Sequence, residues 1–267
     1  MDRYRVTPGS TVNLADHDPG DRSEFKGNKS AGKKRQAELA GQLADLQRLL
    51  WAEDKHKVLI VFQAMDTAGK DGTIRKLLAR TNPQGVKVAN FKKPTPKELS
   101  HDYLWRVHPH APATGEIGVF NRSHYEDVLV VRVLDLVPEQ RWSRRYEHIA
   151  DFEQLLADEG TTIIKFYLHI DLDTQKERLQ ARLDDPEKRW KFNVGDLDHR
   201  GLWPEYMAAY EAAISKTSTE DAPWYVIPSN RKWYRNLMVT QIVVDTLRGL
   251  DMEWPEPEEG LDDVVID

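Results

Sequence analysis

The fold of this chain is decided by residues 58–75, which have the sequence VLIVFQAMDTAGKDGTIR. Residues 58–62 are an apolar run rich in β-branched side chains, which is typical of a buried strand. A loop of small residues follows as far as Lys70, and the pattern becomes helical from Asp71. In such a unit the backbone N–H groups and the helix dipole face an anion, and the lysine bridges its oxygens. The stretch therefore predicts a phosphate-binding loop.

This loop departs from GxxxxGK[ST], the usual phosphate-loop pattern, at two positions. Ala64 replaces the first glycine, and Asp71 replaces the Ser or Thr that would hold Mg²⁺. Asp66 adds a carboxylate inside the loop, where it is unfavourable beside phosphates unless a metal ion or a transferred proton uses it. The alternative is a strand–turn–helix junction that binds nothing and contains an incidental lysine.

The composition indicates a globular protein and leaves room for a polyanionic ligand. The chain is 40% hydrophobic and 31% charged, and no apolar run approaches the roughly 20 residues of a membrane span. There are no cysteines and no signal-peptide pattern, so we expect a cytoplasmic protein without membrane contact. Residues 251–267 contain eight of the 44 Asp and Glu residues and no Lys or Arg, so the rest of the chain is slightly basic despite the net charge of −6.

The order of apolar and helical patterns predicts an α/β fold. Strands are predicted at residues 58–62, 86–90, 116–120, 162–170 and 224–228. Helices are predicted at about 30–55, 70–80, 96–107, 123–132, 138–158, 173–184, 203–217 and 231–250. Such alternation favours a five-stranded parallel sheet with helices on both faces. We expect a single domain over 1–267, with an N-terminal arm (1–28), a lid (about 173–200) and an acidic tail (251–267).

Polar residues follow the second and third predicted strands, at the edge where open α/β sheets bind ligands. Lys92 and Lys93 follow the second strand and are predicted to contact phosphate, with a solvated lysine pair as the alternative. Asn121 and Arg122 follow the third strand. An arginine there can bind phosphate oxygens with its planar set of donors.

Two capping boxes are predicted next to these residues. Thr95 with Glu98, and Ser123 with Glu126, have the spacing in which a helix-capping hydroxyl and a glutamate three positions later satisfy each other's backbone. Glu126 therefore has a structural explanation that is as good as a functional one. His124 is expected to pack or to lie on the surface, not to act as a base.

A further basic segment lies in residues 173–200. Arg178 and Arg182 are four residues apart and share one helix face. Asp185-Pro186 breaks this helix, and the basic residues that follow are Lys188, Arg189 and Lys191. This arrangement suits a mobile lid that closes over phosphates, excludes water and supplies positive charge. An exposed pair of charged helices is the alternative, because acidic residues are interleaved with the basic ones.

Four segments together resemble the family-2 polyphosphate kinases: FQAMDTAGKDG, FKKPTPKELSHDYLWR, GVFNRSHYEDVLVVRV and RLQARLDDPEKRWKFNVGDL. The resemblance covers roughly residues 30–250. It implies a P-loop kinase-like three-layer sandwich, similar to thymidylate kinase, with a helical lid. It also implies phosphoryl transfer between inorganic polyphosphate and nucleotides with Mg²⁺, or with Mn²⁺ in its place. AMP, ADP and ATP are the expected nucleotides, guanine nucleotides are further candidates, and a homo-oligomer is expected.

The resemblance also implies roles for individual residues. Asp66, Lys70 and Arg122 match the catalytic positions of the family, and Asp66 is the expected metal ligand. Where many members have FDRS this chain has FNRS, so Asn121 supplies no carboxylate to a metal. Together with Glu126, this resembles the subgroup that accepts nucleoside mono- and diphosphates, so Asn121 and Glu126 are predicted to bind the nucleotide.

Phosphoryl transfer needs alignment and charge neutralisation more than covalent help from the protein. The predicted phosphate-binding residues are accordingly Ala68, Gly69, Asp71, Gly72, Thr73, Lys92, Lys93, Arg178, Arg182, Lys188, Arg189 and Lys191. Two other classes stay open at this point. One is an ATP-dependent nucleoside monophosphate kinase of the thymidylate kinase type. The other is a non-enzymatic protein that binds nucleotides or RNA, which the carboxylate in the loop and the lid arginines disfavour.

Overall fold

A computed structural model describes residues 2–261, together with 264 and 266. Its strands are β1 (Lys57–Gln63), β2 (Val86–Asn90), β3 (Ile117–Asn121), β4 (Thr161–His169) and β5 (Trp224–Pro228). They form one sheet in the order β2-β3-β1-β4-β5, and every neighbouring pair is parallel. The predicted α/β fold is confirmed, and each predicted strand is found within one residue of its expected bounds.

The helices are α1 (Lys29–Glu53), α2 (Lys70–Leu77), α3 (Pro96–Leu99), α4 (Val130–Val133), α5 (Glu139–Trp142), α6 (Arg145–Asp158), α7 (Leu172–Asp184), α8 (Gly195–Gly201), α9 (Trp203–Thr217) and α10 (Lys232–Arg248). The sheet lies between two layers of them. Val58, Ile60 and Phe62 pack on one face with α1, α2 and α10. Leu59 and Val61 pack on the other face with α6 and α9. Burial on both faces explains why β1 is a continuous apolar run.

Three predicted helices are wrong in extent. The helix expected over 96–107 is the single turn α3, because the Asp102 carboxylate accepts from Leu104 N and Trp105 N and gives the backbone a non-helical alternative. The helix expected over 123–132 is a 3₁₀ turn (His124–Asp127) followed by α4. The helix expected over 138–158 is divided into α5 and α6.

The segment before α1 lies along the outer edge of β5. Val6 N donates to Trp224 O at 2.8 Å, and Arg5 forms an isolated antiparallel bridge with Tyr225. Just before them in the chain, Tyr4 OH lies 2.5 Å from Tyr234 OH. Of the predicted arm (1–28) and acidic tail (251–267), position 1 and positions 262, 263, 265 and 267 lie outside the described residues. Among the helices described, none has the length and apolar character to cross a membrane.

Candidate active site

In the loop between β1 and α2, a lysine at the end of the loop bonds to a backbone carbonyl at its start. Lys70 is the first residue of α2, and its Nζ donates to Ala64 O at 2.8 Å. Burial, and after it the positive charge of Arg122, lowers the pKa of this lysine. Ala64, which replaces the first glycine of the pattern, does not have a positive φ, so the replacement introduces no backbone strain. The loop therefore has the shape of a phosphate cradle despite its departure from the pattern.

Position 69 can be occupied only by glycine. Its φ is +105°, and a Cβ at this position would collide with the Arg235 guanidinium. Gly72 leaves a wider approach, since a Cβ there would lie 3.8 Å from Arg235 Nη2. Thr73 Oγ1 donates to Gly69 O at 3.0 Å and so ties the first turn of α2 to the loop. These predicted phosphate-binding residues lie together at the start of α2.

Asn121 joins the ends of three elements. Its Nδ2 lies 2.7 Å from Asp71 Oδ1 at the start of α2 and 2.7 Å from Asn90 Oδ1 at the end of β2. An amide can donate to Asp71, whereas an aspartate at position 121 would repel it. The Asp71 carboxylate is thus occupied by Asn121, which leaves its backbone N–H as the group that can face a phosphate.

Arg122 lies between two carboxylates at the mouth of the loop. Its Nη2 is 3.2 Å from Asp66 Oδ1. The charges of Glu126 and Asp66, of which Glu126 has the larger effect, raise the pKa of Arg122. Its backbone has φ +61°, in the left-handed region that is unfavourable for a side chain of this size. The charges of Arg122 and Asp66 also act on Lys70, so the three predicted catalytic residues lie close together here.

The capping box predicted for Ser123 and Glu126 is wrong. Ser123 accepts from Tyr125 N, which closes a 3₁₀ turn instead of a helix. The Gln63 amide lies between the two residues. With the amide oriented so that its oxygen accepts from Ser123, its nitrogen donates to Glu126 Oε1 at 3.0 Å. Glu126 is therefore directed towards Gln63 and Arg122. The box predicted for Thr95 and Glu98 is confirmed.

Two arginines, Arg178 and Arg235, donate to backbone carbonyls of the loop. We call them the braced arginines, because these carbonyls fix their side chains. Arg178 donates to the carbonyls of Thr67 and Ala68 at 3.1 and 3.0 Å, and through its other nitrogen to Ser229 O at 2.6 Å. Arg235 Nη1 donates to Ala68 O at 2.5 Å. Arg178 is predicted to bind phosphate, and this stays a prediction; the contacts it makes in the structure fix the loop.

Sequence reasoning missed Lys232 and Arg235, both in the first turn of α10. Burial and then the charges of Arg178, Arg235, Lys188 and Arg182 lower the pKa of Lys232. Burial and then Arg178 lower the pKa of Arg235. Cations that repel each other in this way form a site ready for a multivalent anion. The available signal was the spacing of Lys232 and Arg235 directly after the fifth strand, at the ligand edge of the sheet.

The segment predicted to form a lid consists of α7, a break at Asp185, a 3₁₀ turn (Arg189–Lys191) and α8. We call Lys188, Arg189 and Lys191 the exposed lid cations, since all three side chains are exposed. Lys188 pairs with Asp185, and Lys191 Nζ lies 4.9 Å from the centre of the Trp190 ring. Arg182 is less exposed than these three, and its Nη1 lies 3.8 Å from Asp196 Oδ2 on α8.

Lys92 and Lys93 are exposed at the end of β2. β2 is an edge strand, and β3 separates it from β1. The two lysines therefore lie at the margin of the site, on the side away from the lid.

Asp196 was not singled out from the sequence. Burial and then the negative charge of Asp66 raise its pKa, so α8 brings a second carboxylate towards the loop.

Comparisons with known proteins agree with this geometry. The family model described as Polyphosphate kinase 2 matches residues 26–255. An AMP/ADP-polyphosphate phosphotransferase of Meiothermus ruber is 58% identical over 267 residues, which is 100% of both chains. An ADP-polyphosphate phosphotransferase of Rhodopseudomonas palustris is 48% identical over 80% of this chain and 78% of its own. The crystal structure of polyphosphate kinase 2 from Arthrobacter aurescens superposes with a TM-score of 0.95 at 45% identity, covering 98% of this chain and 93% of that one.

The chain belongs to the polyphosphate kinase 2 family. The resemblance stated from the four sequence segments is thereby confirmed, and so is the assignment as a phosphotransferase. Family membership favours a polyphosphate kinase over the thymidylate kinase type and over a non-enzymatic binding protein.

The loop of this polyphosphate kinase 2 also offers donors for a hard divalent cation. Asp66 supplies a carboxylate, and Thr67 Oγ1 is a buried oxygen with no hydrogen-bond partner among the described residues. Within that part of the chain, no three His, Asp or Glu side chains form a full metal cage. A cage is not needed, because Mg²⁺ at phosphate sites is held by one or two carboxylates, water and the substrate phosphates. The donor set fits such a cation.

Proposed function

We propose that this chain transfers phosphoryl groups reversibly between inorganic polyphosphate and the nucleotides AMP and ADP, forming ADP and ATP. The observation that carries the proposal is the division of charge around one phosphate loop. Carboxylates and Arg122 lie on the β3 side, and a group of mutually repelling cations lies on the β4 and β5 side. The name of the Meiothermus ruber relative, AMP/ADP-polyphosphate phosphotransferase, supports the same pair of acceptors.

Polyphosphate is assigned to the cationic side. Burial and then the charges of the braced arginines, Lys188 and Arg182 lower the pKa of Lys232 there. A long chain of phosphates with one negative charge on each unit matches such a group, since it neutralises several cations at once. The exposed lid cations and, at the far margin, Lys92 and Lys93 extend the positive surface.

The phosphate that is transferred is assigned to the loop itself. The backbone N–H groups of residues 69–72 and the Lys70 ammonium hold its oxygens, and Arg122 neutralises the charge that spreads over them during transfer. A nucleotide phosphate is already ionised at neutral pH, so no strong general base is required. Asp66 therefore orients the site, and does not remove a proton.

A divalent cation, Mg²⁺ or Mn²⁺, is assigned to Asp66. When bound, it would be held by Asp66 and would neutralise phosphate charge. The contact of 3.2 Å between Asp66 and Arg122 holds the carboxylate in place beside the loop. Asp196 on α8 is the residue that would bring the lid towards the same cation.

The nucleotide is assigned to the side of Asn121 and Glu126. A monophosphate must be seated one phosphate deeper than a diphosphate to reach the same transfer point. Glu126, directed by Gln63 and facing Arg122, is placed to hold that deeper pose through a metal ion or ordered water. Its carboxylate is our explanation for activity on both AMP and ADP.

We further propose a homo-oligomer that acts in the cytoplasm and also accepts guanine nucleotides. The absence of cysteine supports a reducing compartment. The homo-oligomer and the guanine nucleotides rest on the resemblance to the family.

The test is a reaction of purified protein with polyphosphate, a magnesium salt and either AMP or ADP, followed by detection of ATP. We expect ATP from both acceptors and none when polyphosphate is omitted. Phosphorylation of AMP with ATP as the only donor, and no reaction with polyphosphate, would support the nucleoside monophosphate kinase instead.

A further inference from the structure

A buried ion pair lies beneath the turn that carries Arg122 and Glu126. Lys165, in the middle of β4, is 0% exposed, and Glu153 on α6 is 1% exposed. The two side chains form an ion pair, and Lys165 Nζ also donates to Thr217 O at 2.6 Å. Burial disfavours the charge on Glu153, but Lys165 and His124 hold its pKa below the ordinary value, so the carboxylate is ionised.

The inward side chains of the turn are attached to this pair. His124 Nε2 lies 3.1 Å from Glu153 Oε1, and Tyr125 OH donates to the same oxygen at 2.8 Å. Lys165 Nζ in turn donates to Tyr125 OH at 2.9 Å. His124 and Tyr125 are buried, whereas Arg122 before them and Glu126 after them face the loop.

The pair is not explained by stability alone. Two buried charges gain about as much from each other as they lose on leaving water, so apolar side chains of the same volume are often equally stable at such a place. The turn above the pair, however, includes Arg122 at φ +61°. A strained residue keeps such a conformation only where its surroundings hold it.

We propose that Glu153 and Lys165 are positioning residues for the transfer reaction. They hold His124 and Tyr125, and through them they fix the turn so that Arg122 faces Asp66 and Glu126 faces Gln63. This inference rests on the proposed phosphoryl transfer, and the ion pair itself touches no substrate. Loss of the ion pair should lower kcat, because Arg122 acts on the transferred group. It should leave the KM for polyphosphate unchanged, because polyphosphate binds at the other side of the loop.

The test compares two double variants that both remove the buried charges. Glu153→Gln with Lys165→Met keeps an oxygen that can accept from His124 and Tyr125. Glu153→Leu with Lys165→Met keeps the volume but removes that acceptor. Melting temperature, kcat, and KM for polyphosphate are measured for both and for the wild type.

We expect the Leu/Met variant to melt within a few degrees of the wild type and to lose about 10- to 100-fold in kcat, which is the scale of a misplaced catalytic group. Its KM for polyphosphate stays near the wild-type value. The Gln/Met variant keeps most of the wild-type kcat. If kcat instead follows melting temperature in both variants, or if the Leu/Met variant is fully active, the positioning role is wrong.

A milder pair of variants decides the matter if the Leu/Met variant does not fold. Tyr125→Phe removes only the hydroxyl that joins the turn to Glu153. Its control is Tyr4→Phe, which removes another buried hydroxyl, bonded to Tyr234 and Asp21. We expect a several-fold lower kcat for Tyr125→Phe only, and equal activities would overturn the inference. A wild type that is inactive with polyphosphate would contradict the proposed function itself, which separates the two failures.

Discussion

Two sets of cations face the same edge of the sheet, and they differ in what holds them. The braced arginines donate to backbone carbonyls of the loop and of the segment after β5. The exposed lid cations have short-range partners within the lid itself, such as Asp185 and Leu183 O. The first set is preorganised by backbone acceptors, whereas the second is held only by contacts within its own segment.

The loop that the braced arginines hold should carry the largest effects. Lys70→Ala removes the cation at the transfer point, and Asp66→Asn removes the carboxylate while keeping its shape. We expect each to lower kcat by about 100-fold or more, as for the loss of one preorganised transition-state contact. Turnover assays with circular dichroism check this. Near-normal activity in a folded variant would contradict the assignment of the cradle.

A charge-conserving change separates the two sets directly. Arg235→Lys keeps the charge but loses the planar group that donates to Ala68 O, so we expect kcat to fall about tenfold. Arg189→Lys is the matched change among the exposed lid cations and should stay within about twofold, because an exposed charge contributes little by geometry. Equal losses would mean that both sets are held equally firmly.

The exposed lid cations should contribute to the binding of polyphosphate. Replacing Lys188, Arg189 and Lys191 together by Gln should raise the KM for polyphosphate and flatten its dependence on salt, since each lost phosphate contact reduces the slope. The control replaces Lys55, Lys57 and Lys87, which lie at or near the amino ends of β1 and β2. An unchanged salt slope in the lid variant would place the polyphosphate elsewhere.

The smallest effect concerns the choice of acceptor. Glu126→Ala should reduce phosphorylation of AMP several-fold more than that of ADP, because only the deeper pose of a monophosphate needs the carboxylate. Glu139→Ala, at the start of α5, is the control. A purely structural role of Glu126, through its contact with Gln63, would instead lower stability with both rates reduced alike. Equal losses in the two rates therefore count against the specificity role.

The strands and the loop could be predicted because their signals are local. A buried β-branched run, a small-residue loop and a lysine are adjacent in the chain. The helices at 96–107 and 123–132 could not, because the side chains of Asp102 and Ser123 bond to the backbone that the helix would have used. Periodicity alone does not show which alternative wins.

Lys232 and Arg235 were missed for a different reason. They become part of the site because β1, β4 and β5 are neighbours, so the segments after these three strands converge. Strand order is a property of the whole sheet, and neighbouring residues in the sequence do not reveal it. The same order explains why Lys92 and Lys93, after β2, lie at the margin.

The pairing of the first residues with β5 has a consequence for handling the protein. An open strand edge, with free N–H and C=O groups, is a template on which another chain can add a strand. Val6 and Arg5 occupy that edge in the present fold. A shortened chain that begins after Val12 would expose it and would be prone to aggregate. β2, at the opposite edge, is protected by the charge of Lys87.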